Sequence, residues 1–333
     1  MINNTLYNIL LSSVPDSNTL LLDNIIPEKL YPEALKNKVL IRTVDKLLEY
    51  KLIDNRPDLY IRESERKKRI LNFIGNHLIQ LDQPHVFIKN FMHLPDIGDD
   101  IDLYLHDLDE SADYKLIMDL NYNEVKLSFL NRMGGRTQYY IKDYDIDLEI
   151  YHGKFGRIGE YISDYGLFKK TSIVNVSNYS LNVPILEDQI LVQIIQSLYS
   201  SGKIRISDII YFIDKHINNK IDYDYLYSIA NKLHIRNGCR YYINYINNII
   251  IKYCPERSII SDKYYKVYPV RNNKHLFHKI IIVRLNIYRI IKSILKADFI
   301  FSLKLLLIPV LYFSNKINTA IKILVNKKNN EVP

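Results

Sequence analysis

Gly98-Asp99-Asp100-Ile101-Asp102-Leu103-Tyr104-Leu105 places two carboxylates two residues apart inside an apolar run. In a strand, positions i and i+2 share a face, roughly 6.5–7 Å apart. Asp100 and Asp102 then converge on one point while Ile101, Leu103 and Leu105 enter a core. Carboxylates that close repel one another unless a cation lies between them. Hard oxygen ligands at the head of a strand suit Mg²⁺ whose remaining ligands come from a nucleoside triphosphate. Asp145-Ile146-Asp147-Leu148-Glu149-Ile150 repeats the pattern, with carboxylates at i, i+2 and i+4. If this strand pairs beside the first, three carboxylates gather at one sheet end as a site for two metal ions. Asp147 is the first choice for the third place, Glu149 the second and Asp145 the third. The chemistry is then nucleotidyl transfer. Asp100 and Asp102 hold both ions, and the third carboxylate holds the ion at the acceptor hydroxyl and takes its proton. The alternative for Asp-x-Asp taken alone is an acidic turn at a strand start.

The surrounding pattern supplies elements to position these groups. Pro32 is expected near the first position of a helix whose apolar residues recur through Val39, Leu40, Val44, Leu47 and Leu48. Ser64 is the expected cap of a helix reaching about Gln80. Pro84 to Lys89 reads as a strand and Asn90 to Gly98 as a loop or short helix. Asp113 to Leu120 reads as helix, and Val125 to Leu130, Tyr139 to Ile141 and Tyr144 to Tyr151 as strands. Gly134-Gly135-Arg136 marks a turn, with a phosphate loop as the lesser alternative. After about residue 184 helical spacing takes over. Helices are expected from Leu186, over Ile206 to His216, over Tyr223 to Leu233 and over Ile243 to Tyr253. The expected fold class is α+β: an α/β layer with a small mixed sheet, followed by a helical module. The divisions are a helical region at 1–63, the α/β domain at 64–183, a helical bundle at 184–255 and a basic tail at 256–333.

Phe87-Ile88-Lys89-Asn90, nine residues, then Asp100-Ile101-Asp102-Leu103 resembles the polymerase-β-type nucleotidyltransferase superfamily. Within it, the chain is similar to an uncharacterised bacterial and archaeal nucleotidyltransferase-like family with Lys-Gly in place of Gly-Ser. Ile146 to Ile150 matches that family's third-carboxylate strand. Pro184 to Leu191 matches its Glu-Asp helix start, and Arg205 to Ile209 a following helix. The resemblance spans roughly residues 65 to 250 and implies a nucleotidyltransferase-like fold. It also implies a nucleoside triphosphate with Mg²⁺, and Lys89 and Asn90 beside the nucleotide. Asn90 stands where the family has a glycine that lets backbone N–H groups approach phosphates. The arginine often found before the Asp strand is absent. The acceptor left open is a protein, an RNA end or a small molecule. A second reading is a catalytically inactive binding protein on the same fold, antitoxin-like or a pathway scaffold. A metal-dependent glycosyltransferase is a third.

The 333 residues and 47% apolar content exclude wholesale disorder. Cys239 and Cys254 form no CxxC pair, so neither a disulfide framework nor a cysteine zinc site is expected, and a cytoplasmic location fits. The N-terminus reads as lacking a signal peptide. From Glu256 onward there are 15 Lys and Arg against 4 Asp and Glu, leaving 30 basic and 33 acidic groups before it. The basic tail is therefore expected to pack on the body or to meet an anionic membrane surface, nucleic acid or a protein partner. Arg289, Lys292 and Lys296 fall on one helical face there, and Ile287, Ile291, Ile294 and Leu295 on the other. His85, His93, His106 and His152 show no zinc-binding spacing. Glu187, Asp188 and Asp208 read first as helix-start acids, with Asp208 a lesser candidate for facing the cleft.

Overall fold

The computed structural model describes residues 2–11, 26–81, 84–98, 100–106, 113, 117–156, 159–162, 167–254, 260–264, 274–295, 301–303 and 305–306. Its fold is mixed α+β. Five strands form one sheet: β1 (His85–Phe87), β2 (Asp100–Leu105), β3 (Tyr122–Glu124), β4 (Arg136–Ile141) and β5 (Ile146–His152), in the order β1-β2-β5-β4-β3. Only β2 and β5 run parallel; the other neighbours are antiparallel. Short pairs β6 (Lys154–Phe155) with β7 (Tyr161–Ile162), and β8 (Thr171–Val176) with β9 (Tyr179–Pro184), complete the strands.

Alternation in β2 and β5 splits the molecule into two cores. Ile101, Leu103, Leu105, Ile146, Leu148 and Ile150 face one side, packed with Phe73 and Ile74 and with Leu181 and Val183 of β9. Tyr104 and Tyr151 face the other, in a core built from helices. Those helices are α1 (Ile2–Leu11), α2 (Pro27–Lys36), α3 (Leu40–Glu49), α6 (Leu186–Ile194), α7 (Ile206–Ile217), α8 (Tyr223–Lys232) and α9 (Arg236–Tyr253). The helices before the sheet and those after it thus share one core, which includes Leu6, Leu40, Ile190 and Ile246. Covering the opposite face is α4 (Asp58–Phe73), and α5 (Phe129–Met133) precedes β4.

Several local expectations shift. Pro32 lies inside α2, which opens at Pro27, where the missing N–H costs nothing. The apolar run then breaks at Lys38, which takes φ +53° before α3 begins. Ser64 is interior to α4, because Pro57 and Asp58 already supply an extended entry and a first-turn acid. The strand expected at Val125 sits at Tyr122–Glu124. Ser128 Oγ accepts from Asn131 N at 3.3 Å and starts α5 instead. The last helix of the module begins seven residues earlier than expected, at Arg236. Gly238 is tolerated in it because the Tyr199 ring packs where a Cβ would stand. Of the helix expected over Asp113 to Leu120, residues 114–116 lie outside the described residues, and Ile117 to Leu120 close a turn in which Leu120 N donates to the Ile117 carbonyl at 2.9 Å.

Asp188 joins the layers: it is fully buried in α6 and accepts from Phe168 N at 2.8 Å. Burial pushes its carboxyl up to about 7, from an ordinary 3.8. The native state therefore holds a proton that the unfolded chain has released. This contribution to stability is complete below the ordinary value and is lost as pH rises through about 7. Asp188→Asn keeps the acceptor and removes the titration. Urea unfolding at pH 5 and 8 should show the wild type losing roughly 2–3 kcal/mol more than this variant; identical losses would contradict the assignment.

Beyond the module, α10 (Lys274–Leu295) docks on the body through Ile281, Leu285 and Arg289. Arg289 is 1% exposed, donates to Glu160 Oε1 at 3.2 Å and lies about 5 Å from the Tyr161, Tyr199 and Phe301 ring centres. Lys292 donates to Asn231 at 2.9 Å. The basic face of this helix is thus partly spent on the body, the first of the expected alternatives, and Lys296 lies outside the described residues. Ile287 (52%), Ile291 (50%) and Leu295 (80%) are left exposed. Among the described residues, no helix is long and apolar enough to cross a membrane.

Candidate functional site

The parallel ladder sets Asp100 opposite Asp147 and Asp102 opposite Glu149. All four occupy the sheet face turned toward the helical core. Oxygen atoms of Asp100, Asp102 and Glu149 lie within 4.8 Å of one another. The third place expected first for Asp147 therefore goes to Glu149, which stands opposite Asp102 and has one more methylene of reach. Asp147 stays beside the cluster, half-buried, with its carboxyl raised by burial and by Asp100, Glu149 and Asp145. Asp145 lies outside strand β5. At φ +52° it ends the turn between β4 and β5, accepts from Tyr140 OH at 2.8 Å and pairs with Arg69 at 3.4 Å.

Two cations from this chain already face the three acids. Lys89, at φ +71° just after β1, turns its Nζ inward into an ion pair with Asp102 and a 2.9 Å bond to Tyr151 OH. Burial opposes its charge, but Asp102, Tyr151, Asp100 and Glu149 hold its pKa above the ordinary lysine value. Arg136 donates to Glu149 at 3.1 Å and to Tyr151 OH at 3.3 Å, and Tyr151 OH donates to Glu149 at 2.9 Å. Arg136, expected in a turn or, as the lesser alternative, a phosphate loop, is the first residue of β4. Its place opposite Tyr151, in the strand beside β5, is what aims it. Burial first, and then Asp100 and Glu149, push the Asp102 carboxyl above the usual carboxylate value, against the pull of Lys89. Burial acts on Asp100 the same way, but Lys89, Lys38 and Arg205 carry its pKa below the usual carboxylate value.

The expected nucleotide contacts take other roles here. Lys89 is committed to Asp102 rather than to an open phosphate site. Asn90 is 2% exposed; its Nδ2 donates to the Asp100 carbonyl and its Oδ1 accepts from Asp102 N at 2.8 Å. Its amide thus extends the ladder where β1 has ended and fixes the head of β2. A glycine could not do this.

Across from the carboxylates, a cleft of about 150 Å³ is walled by Lys38, Ser197, Ser200, Lys203 and Arg205. The serines sit on a π-helical turn, Ile195–Ser200, that continues α6; such turns recur at functional sites. Asn37 joins two of the cations: its Oδ1 accepts from Ile206 N at 3.3 Å and its carbonyl from Ser207 N at 3.4 Å. Lys38 is thereby tied to the head of α7, next to Arg205. Asp208 is both the first-turn acid of α7 and a cleft residue. It accepts from Arg205 N at 3.3 Å and pairs with His93 at 3.0 Å. The loop entering β2 is pinned by Asp96, which accepts from Ile41 N at 2.7 Å and pairs with Arg42 at 3.0 Å. At Gly98, a Cβ would stand 3.0 Å from Lys38 Nζ and 3.3 Å from Asp100 Oδ1, so a bare backbone lets cation and acid approach. Of the other candidate histidines, His152 is buried against Asp113 at 3.3 Å, and His85 and His106 do not line the cleft.

No protein-family model, curated protein or solved structure matches this chain.

Proposed function

We propose that this protein is a metal-dependent nucleotidyltransferase of the polymerase-β type. It would move a nucleoside monophosphate from a triphosphate to a hydroxyl acceptor. The observation that carries this reading is the convergence of Asp100, Asp102 and Glu149 opposite a wall of cations. Among the described residues, Lys38, Lys203 and Arg205 enter no ion pair, so they are available to a polyphosphate. The donor set fits magnesium: three hard oxygens, two from one strand and one from its parallel neighbour. When bound, two Mg²⁺ ions would neutralise the leaving pyrophosphate and acidify the acceptor hydroxyl. Asp100 and Asp102 hold them jointly, and Glu149 is kept in place by Arg136 and Tyr151. Lys38, Lys203 and Arg205 orient the β- and γ-phosphates, and the Ser197 and Ser200 hydroxyls supply donors. Asp147, beside the cluster, accepts the hydroxyl proton on its carboxylate. Incubation with each α-labelled nucleoside triphosphate, Mg²⁺ and cell lysate should transfer label to an acceptor, and transfer from none of the four would contradict this.

Lys89 and Arg136 favour a second reading, in which they permanently replace the ions and the protein binds a ligand without catalysis. Calorimetry with Mg²⁺ and the four triphosphates separates the two, because binding of none supports the inactive protein.

For the tail, the exposed apolar face of α10 favours a membrane surface over nucleic acid. Residues 256 onward carry a net charge of +11 that would face anionic headgroups. The protein would then be cytoplasmic and peripheral. Vesicles containing phosphatidylserine should sediment the full chain, and Ile287→Glu with Ile291→Glu should reduce this by roughly tenfold. Equal sedimentation would reject the membrane, and retention on RNA instead would favour nucleic acid.

A further inference from the structure

A second cavity of about 320 Å³ adjoins the cleft, and Lys38 and Arg205 line both. Its remaining walls come from four elements that supply none of the clustered carboxylates: the end of α2 at Lys36, the start of α3, Glu63, Arg66 and Lys67 on α4, and the loop before β2. Leu35, Leu40 and Ile97 give it an apolar floor. Its two acids are already neutralised, Glu63 by Arg66 and Asp96 by Arg42. Lys36 pairs with Glu33 at 3.3 Å, an exposed pair of small worth. Among the described residues, Lys38, Lys67 and Arg205 have no ion-pair partner. The cavity therefore gathers more positive than negative charge over apolar surface, and it communicates with the carboxylates through Lys38 and Arg205, which also act on Asp100 across the cleft.

We infer that this cavity binds the acceptor of the transfer reaction, and that the acceptor carries a phosphomonoester. This rests on the nucleotidyltransferase reading. An in-line displacement needs acceptor and leaving pyrophosphate on opposite sides of the reacting phosphorus, and two cavities meeting at Lys38 and Arg205 provide two such sides. A dianionic monoester matches Lys36 and Lys67, the cations of this cavity that do not line the cleft, whereas a neutral sugar would give them no charge to meet. Lys38 and Arg205, common to both chambers, would draw the two substrates together. The monoester belongs to a small phosphorylated metabolite or to the 5′ end of an oligonucleotide; the chemistry recognised is the same.

Calorimetry on the full chain with Mg²⁺ tests this, using ribose 5-phosphate, a 5′-phosphorylated dinucleotide and their unphosphorylated counterparts as probes. At least one monoester should bind and its counterpart should not. Lys67→Glu and Lys36→Glu, on separate helices, should each weaken that binding roughly tenfold or more. Both variants should bind a non-hydrolysable ATP analogue within about twofold of the wild type. The arm that binds identifies the source. The inference is overturned if neither monoester binds, or if either variant keeps wild-type monoester affinity. Monoester binding that is lost in both variants, with no analogue binding by any protein, would uphold the cavity and count against nucleotidyl transfer.

Discussion

Asp102→Asn should lower nucleotide transfer by roughly a thousandfold, with the fold retained. Asp102 is the central member of the cluster: it shares a strand face with Asp100, stands opposite Glu149 and is 3% exposed. Asparagine preserves its shape and its place in the β2 ladder, so Asn90 still accepts from the residue 102 backbone N–H. What disappears is the carboxylate charge, which serves the metal positions and pairs with Lys89; the ammonium keeps Tyr151 OH and the charges of Asp100 and Glu149 beside it, so the fold survives the change. A loss of about 4 kcal/mol in transition-state stabilisation corresponds to about three decades in rate. Label transfer by equal amounts of the two proteins, with circular dichroism to verify folding, measures this. Wild-type transfer by the variant would remove Asp102 from the reaction.

Lys89→Met should destabilise the metal-free protein by about 3–5 kcal/mol and make its stability depend on divalent ions. Methionine fills a similar volume but leaves Asp102 buried without its ion-pair partner and Tyr151 OH without one of its donors. Breaking one side of a buried ion pair carries a cost of this size. A divalent ion among Asp100, Asp102 and Glu149 would restore the missing charge. Mg²⁺ should therefore raise the melting temperature of Lys89→Met by more than it raises that of the wild type. If Lys89 is instead the permanent occupant of a site that never takes metal, the variant is destabilised and Mg²⁺ gives no rescue. The same comparison thus separates the catalytic and inactive readings.

The alternation that gathers the carboxylates is legible in the sequence itself. Asp100, Asp102 and Glu149 fall at even spacings within apolar runs, and period two forces them onto one face. Parallel pairing of β2 with β5 was only a condition in the sequence, since nothing local encodes which strands become neighbours. The choice between Asp147 and Glu149 depended on register and reach, neither of which side-chain spacing contains. Asp145 was misplaced because its left-handed turn conformation has no glycine to mark it. Lys38, Ser197, Ser200 and Lys203 carry no mark in the sequence, and Arg205 enters it only as the start of a family-like helix, because these residues come from segments far apart in the chain and only tertiary packing gathers them. Asn37 was the available trace, as an Asn-Lys pair interrupting helical spacing. The β8–β9 hairpin leaves a fainter trace: after a Ser177-Asn178 turn, exposed Ser180 and Asn182 alternate with buried Leu181 and Val183, whereas β8 is exposed over Thr171 to Ile173. Asn90 was read through the glycine it replaces, whereas its amide, seen in place, is a structural clamp on the strand it precedes.

The most direct measurement is a titration of the full chain with Mn²⁺, followed by electron paramagnetic resonance, in the presence of a non-hydrolysable triphosphate. Three carboxylates sharing a metal predict saturable Mn²⁺ binding that falls by at least about tenfold in both Asp102→Asn and Glu149→Gln. Binding should be unchanged in Asp145→Asn, whose side chain lies away from the cluster. Wild-type protein that binds no Mn²⁺, or binding that survives both substitutions, would contradict the account.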